Sequence, residues 1–253
     1  MLRKLLPLCL GLAAAAACLP AAARSLVEVD VVDRDSGQWL PEYRHRGQDW
    51  IAGTPGHRYA VRLTNSSSER VLVVLSVDGV NAVTGQAAHP SQAGYMLEPW
   101  QSTEVAGWRK SLDDVAQFHF TELPDSYAAR TGRPDNVGVI GIAVFRERAL
   151  PRPYPMPAPI ARERQASADR ASPSAEAAVP QRIGTGHGER EYAPVNQTRF
   201  VRASSAPAQT WQLRYDDADS LVAMGVLPRW RSPQPPRGPR AFPGGFVPDP
   251  PGW

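Results

Sequence analysis

Apolar and polar residues alternate with a period of two over several short stretches, and that period predicts strands. Val27, Val29 and Val31 alternate with Glu28 and Asp30, as in a strand with one buried face. Tyr59, Val61 and Leu63 alternate with Arg58 and Arg62 in the same way, and Asn65 to Ser68 then reads as a turn. The run VLVVLSV, Val71 to Val77, is apolar on both faces except at Ser76, which predicts a central strand ended by Asp78-Gly79. VGVIGIAVF, residues 137–145, is a second such run; its Gly138 and Gly141 indicate close packing or a bulge. Residues 102–108 and 116–120 are shorter candidates. Later, Trp211, Leu213 and Tyr215 alternate with Gln212, Arg214 and Asp216, and residues 216–220 turn the chain into 221–227. Helix signals are sparse; Ser111-Leu112-Asp113-Asp114 resembles a single capped turn.

Many short strands separated by turn residues, with no crossover helices between them, predict an all-β chain. The expected architecture is an antiparallel β-sandwich, jelly-roll-like or Ig-like. Forty-six residues at 183–228 are too few for a core of their own, so they should complete the sandwich at 24–148 as a C-terminal hairpin or meander. Of the 26 prolines, 18 follow residue 148, and they concentrate in two stretches without apolar period. Residues 149–182 therefore read as a disordered Pro/Ala/Arg linker and 229–253 as a disordered Pro-rich tail.

Residues 1–23 break this pattern. Arg3 and Lys4 precede an apolar stretch from Leu5 to Leu19, and Ala21-Ala22-Ala23 offers a small-residue cleavage site before Arg24. This is a signal-peptide pattern, which predicts a periplasmic or secreted protein; acylation of Cys18 as a lipoprotein is the alternative. The apolar stretch is shorter than the ~20 residues of a membrane span, and no other stretch matches it, so no transmembrane segment is expected in the mature chain. Both cysteines, Cys9 and Cys18, lie in the leader, so the mature chain has no thiol for a disulfide, a thiolate–metal site or a nucleophile. The formal net charge of +3 falls to +1 without Arg3 and Lys4, and no dense Lys/Arg run occurs, so nucleic acid is not an expected partner.

VLSVDGVNAVTGQ (74–86), GYMLEPWQSTEVAGWRKS (94–111), DSYAART (125–131), NVGVIGIAVF (136–145) and GTGHGER (184–190) occur in this order. Together they resemble a set of bacterial secreted or periplasmic proteins to which no activity is assigned. The resemblance implies a shared fold and an extracytoplasmic setting. It implies no activity and carries no catalytic residue over.

The candidate chemistry is thin. Asp78 and Asn81, beside Gly79, could bind a cation or a sugar hydroxyl at the sheet edge; the simpler reading is an Asp-Gly turn whose carboxylate caps backbone. GTGHGER lacks the Lys-Ser/Thr and following helix of a phosphate loop, and no strand precedes it as a dinucleotide fingerprint needs. It reads as a tight structural loop, or as one that presents His187, Glu189 and Arg190. No two of the five histidines have metal-motif spacing, and neither a metal nor another cofactor is expected. No G-x-S-x-G elbow activates Ser76, Ser111 or Ser126. Glu98 with Glu104, or Asp113 with Asp114, could pair as glycosidase carboxylates, but sequence separation does not give their distance. Most of the aromatic residues between Trp39 and Trp108 should fill the core, with Trp50 and Trp100, beside turns, as the exposed pair.

The expected function is that of an exported, non-enzymatic binding or envelope-associated module with an unknown protein or glycan partner. One alternative is an envelope enzyme acting on glycans through acidic residues at the sheet edge. Another is an assembly subunit that contacts its partner through the Pro-rich tail. The leader makes a direct prediction: the intact mass of exported protein should correspond to a chain beginning at Arg24, and retention of Met1 or a diacylglycerol on Cys18 would refute it.

Overall fold

A computed structural model of the chain describes residues 25–149 and 181–228. The expected leader, the tail and nearly all of the expected linker lie outside the described residues. In chain order the strands are β1 (Val27–Asp33), β2 (Gln38–Trp39), β3 (Tyr43–His45), β4 (Gln48–Ala52), β5 (Arg58–Asn65), β6 (Val71–Val77) and β7 (Val80–Asn81). They continue with β8 (Tyr95–Leu97), β9 (Ser102–Val105), β10 (Gly107–Arg109), β11 (Asp114–Glu122), β12 (Val139–Arg146), β13 (Ile183–Tyr192) and β14 (Gln209–Asp216). Two short α-helices, α1 (Tyr127–Arg130) and α2 (Ala218–Met224), are among the described residues.

The strands form two sheets packed as an all-β sandwich. In the first, β1 lies between β2 and β5. The far side of β5 is shared: Arg58 and Tyr59 pair with β11, and Val61 to Thr64 pair with β9. The chain leaves β9 through Ala106 and pairs with β11 as β10, while β13 runs along the other side of β11. The second sheet has the order β3-β4-β14-β12-β6, with β7 and β8 both beside β6. Every pairing is antiparallel except β4 with β14. The C-terminal block thus completes the sandwich by dividing: β13 joins the first sheet, and β14 enters the second between β4 and β12. A hairpin would have placed both strands side by side in one sheet.

The alternation in the sequence maps onto the layers. Val71, Val73, Leu75 and Val77 of β6 and Ile140, Ile142 and Val144 of β12 point into the core between the sheets. Leu72, Val74, Ala143 and Phe145 face the opposite way and form a second cluster, covered by Phe200. This is why both runs are apolar on two faces. Residues 199–203 cross the second sheet as a strap: Arg148 N–H donates to Val201 O (2.7 Å) and Ala203 N–H to Arg146 O (2.9 Å). Arg202 lies 4.0 Å above the Phe145 ring and donates to the carbonyls of Pro90 (2.8 Å) and Gln92 (2.6 Å).

Three local readings change. GTGHGER is not a loop but most of β13. Its glycines serve close approach rather than turning. A Cβ on Gly184 would fall 2.5 Å from Val137 Cγ1, one on Gly188 2.9 Å from Gln117 O, and on Gly186 the His119 ring already occupies the space. Ser111 to Asp114 does form capping bonds, with Ser111 Oγ accepting from Asp113 N (3.1 Å) and Asp114 N (3.0 Å), but they close the loop between β10 and β11 and no helix follows. The turn read at 216–220 is the cap and first turn of α2: Asp217 accepts from Ser220 N (2.9 Å), and Gly225 ends the helix at φ 78°.

The glycines of β13 give a test by contrast. Gly186→Ala should cost about 1–3 kcal/mol, because the added carbon collides with His119 in a packed sheet. Gly141→Ala, also in a strand but with its nearest neighbour 3.6 Å away, should stay within about 0.5 kcal/mol. Urea unfolding of both variants measures the difference, and equal losses would refute the packing role.

Candidate functional site

Asp78 and Gly79 form the two-residue turn between β6 and β7, with φ of 53° and 71°, the left-handed pair that such hairpins require. The turn points the Asp78 carboxylate inward, where it is 1% exposed. It accepts from Gly138 N (2.8 Å), Thr185 N (2.7 Å) and Tyr215 Oη (2.6 Å). Tyr215 Oη also meets Thr185 Oγ1 at 2.6 Å, and Thr185 Oγ1 meets Tyr59 Oη at 2.6 Å. A terminal carboxylate accepts only, so it sets the direction of the chain: Tyr59 donates to Thr185, Thr185 to Tyr215, and Tyr215 to Asp78. Burial pushes the Asp78 carboxyl up to about 6 against the pull of its donors. Burial and the nearby carboxylate raise both tyrosine hydroxyls well above their ordinary value, so they remain neutral donors.

Asn81 is also fully buried. Its oxygen accepts from Val83 N (2.7 Å) and Thr84 N (3.0 Å), and its amide donates to Gln92 Oε1 and Ala93 O, both at 3.1 Å. Asp78 and Asn81 are therefore enclosed and hydrogen-bonded on every side, away from any surface a ligand could reach. Asp78 does cap backbone, though of β13 and of the approach to β12 rather than of its own turn.

Two residues beyond Thr185, β13 reaches the surface. His187 pairs with Phe118 and Arg190 with Ala116, while Trp108 of β10 pairs with Ala116 from the other side. Directly paired residues share a face, so Trp108 and Arg190 project to the same side. Trp108 is 2% exposed and stands edge-on to Phe118 at 4.8 Å. Tyr127 packs 5.0 Å from Trp108, and the His187 ring lies 5.4 Å from Tyr127 and 6.4 Å from Trp108. Tyr127 is held by α1, whose first turn is capped by buried Ser126 accepting from Ala129 N (3.2 Å). Arg133 stacks 5.8 Å from the Tyr127 ring.

Around these rings stand Lys110, Arg130 and Arg190, all exposed. Among the described residues none of the three side chains has an ion pair or hydrogen bond. Partial burial, then the charges of Lys110, Arg130 and Arg190, hold the His187 imidazole below its ordinary pKa. Burial and His187 lower His119 likewise. Trp108 Nε1 is buried without a hydrogen-bond partner among the described residues. The rings that reach the surface here are half-buried Tyr127 and exposed His187, and three exposed cations are near enough to act on His187.

The structure thus joins His187 with Arg190 beside Trp108, one of the aromatics read as core, and adds Lys110, Tyr127 and Arg130, which sequence reasoning did not single out. The signal was present: these residues come from GWRKS, DSYAART and GTGHGER, three of the quoted motif segments. Glu189 alternates to the opposite side, where its charge reaches Arg58, beside the Arg34–Glu191 pair (2.5 Å). Trp50 is not exposed. It is 4% accessible in β4, flanked by β3 and β14; a turn at Arg46-Gly47 precedes it, but, alternating with the core residue Ile51, it lies on the outer side of the second sheet with Arg214 5.8 Å from its ring, and is covered there. Trp100 is 66% exposed, in the turn from Glu98 to Gln101, at a φ of 63°. No ring contact links it to the His187 face among the described residues.

A concavity of about 620 Å³ lies apart from this face, on the outer face of the second sheet, lined by Ser76, Ala87, His89, Gly141, Ala143 and Trp211 among others. It has no carboxylate, lysine or arginine in its lining. Among the described residues no three His, Cys, Asp or Glu side chains gather as a metal site would need, and no helix is long and apolar enough to cross a membrane. Comparison of the chain with family models, with curated proteins and with solved structures returns no match.

The raised pKa of Asp78 gives a signed test. Its carboxyl binds a proton more tightly folded than unfolded, so its contribution to stability is greatest below the unfolded value of 3.8 and falls as pH rises through about 6. At ~1.4 kcal/mol per pKa unit the fall is roughly 3 kcal/mol. Asp78→Asn removes this titration and leaves an amide group facing backbone donors, at a cost of about 1–3 kcal/mol. The advantage of the natural chain over Asp78→Asn, measured by urea unfolding, should be larger at pH 4 than at pH 7. An advantage that grows with pH would show that the ionised form is the favoured one.

Proposed function

We propose that the protein is an exported, non-catalytic binding module that holds a glycan partner on the face where Tyr127 and His187 lie over the buried Trp108. The observation that carries this reading is the combination of ring surfaces fixed on strands and a short helix with cations that no acidic group of the described chain neutralises. Ring faces take the apolar face of a sugar, and guanidinium and ammonium groups take its oxygens. The leader supports an extracytoplasmic setting, where such ligands are found. Asp78, which bonds Thr185 two residues before His187, is buried and committed to structural donors, which favours binding over catalysis.

A glycan array probed with the exported chain tests this. Tyr127→Ala should weaken retention of the bound glycans at least tenfold while leaving the melting temperature within a few degrees, because Tyr127 is only half-buried. Retention unchanged in the variant, or no glycan retained by the natural chain, would refute the reading.

A further inference from the structure

We propose that the concavity of about 620 Å³ on the outer face of the second sheet is a docking groove for this chain's own segment 153–161, PYPMPAPIA. Neither Tyr127 nor His187 takes part. Strand register sets the floor of the groove. Val74, Ala143 and Thr210 stand directly opposite one another on β6, β12 and β14, and so do Ser76, Gly141 and Gln212. Directly paired residues share a face, and here it is the one turned away from the core residues Leu75, Ile140 and Leu213. Gly141 and Ala143 keep the middle strand low, and Ala87 to Pro90 also line the groove. Val74 and Ala143 belong as well to the second apolar cluster, which Phe200 of the strap covers. The groove carries that floor on from Ala143 to Val139.

The described chain stops and resumes at opposite ends of β12, the strand along which this groove runs. Beyond the end of β12, Arg148 N–H donates to Val201 O of the strap, and the described chain stops at Ala149. It resumes at Gln181, whose side-chain amide donates to Tyr215 O and lies against Gly138, just before the start of β12. The 31 residues between, 150–180, have to cover the length of β12. Residues 153–161 carry no charge and are bounded by Arg152 and Arg162. Proline at every second position from 153 to 159 favours the polyproline helix. At ~3.1 Å per residue the segment then spans ~28 Å, against ~26 Å for the strand beneath it. Such a helix makes no internal hydrogen bonds, so its carbonyls need donors. Ser76, Thr210, Gln212 and Asn136, all in the lining, supply them. The lining has no carboxylate, lysine or arginine, so it suits this uncharged stretch and not the charged residues 162–170 that follow.

The test is nuclear magnetic resonance of the exported chain, which beyond the leader has no cysteine, carrying a nitroxide at Arg162→Cys. The nitroxide should reduce the amide signals of Asn136, Val139 and Gln212 at least twofold relative to a diamagnetic label. Those of Val29 and Leu63, in the other sheet, should stay unchanged. Adding Met156→Asp and Ile160→Asp puts charge into an uncharged groove, and should restore the signals while the melting temperature stays within a few degrees. Signals that are not reduced, or that are reduced equally with and without the two aspartates, would overturn the docking. In a mixture of isotope-labelled chain without nitroxide and unlabelled chain with it, no reduction is expected. A reduction there as strong as within one chain would assign the groove to a second copy and overturn the intramolecular contact. None of these outcomes bears on glycan binding at the His187 face.

Discussion

The buried carboxylate of Asp78 is the constraint on which the rest of the structure depends. An ionised group taken out of water is costly unless hydrogen bonds replace its hydration. Here the replacements come from far along the chain: the amides of Gly138 and Thr185 and the hydroxyl of Tyr215. Any packing that leaves one of them out leaves a charge unsatisfied in the core. The carboxylate therefore acts less as a source of net stability than as a condition on topology. The turn after β6, the approach to β12, the first half of β13 and the end of β14 must meet at one point. It also explains why the C-terminal block divides between the sheets. Thr185 and Tyr215 approach Asp78 from opposite layers, and a hairpin of β13 and β14 in one sheet could not supply both.

The same arrangement positions the His187 face. Thr185 is fixed by Asp78 and Tyr59, and His187 follows one strand repeat later on the same side of β13. Gly184, Gly186 and Gly188 alternate with these residues and let Ser126, His119 and Gln117 press against the other side of the strand. Ser126 is also the cap of α1, so the contact that requires a glycine at 184 seats the helix that presents Tyr127 and Arg130. The surface rings and cations are thus held by the buried network below them. Arg130 and Arg190 are carried by α1 and β13, and Lys110 by the first position after β10.

What the sequence revealed follows from where its signals are local. β1 and β6 fall where the alternation and the doubly apolar run placed them, because two-residue periodicity and burial on both faces are properties of the segment itself. β13 did not, because its glycines answer to side chains on β11, on α1 and at Val137, and a glycine that makes room looks in sequence like a glycine that turns. Asp78-Gly79 was legible as a turn, and so was the capping role of the carboxylate. The partners were not, since they lie 60, 107 and 137 residues away. Trp50 was misplaced because proximity to a turn was taken for exposure, while β14, its parallel neighbour, lies more than 150 residues downstream in the chain. The His187 face was half visible. His187 and Arg190 stood out in a glycine-rich motif, but Lys110 and Arg130 are ordinary surface cations until the sheet brings them beside the imidazole.

The location of the face at one end of the sandwich has a physical reason. The outer face of the second sheet carries Leu72, Val74, Ala143 and Phe145, too apolar to leave bare, and Phe200 and the strap cover part of it. Arg202 locks that strap by reaching two carbonyls of the loop after β7 across the Phe145 ring. The second sheet is therefore partly closed on both sides. The first sheet extends past the core, where β10, the start of β11 and the end of β13 continue beyond Phe118. There its inner surface, which elsewhere faces the second sheet, has only Tyr127 and α1 over Trp108. With Trp108 only 2% exposed beneath it, the helix closes that end as the second sheet closes the rest, and the surface there is left to half-buried Tyr127 and exposed His187.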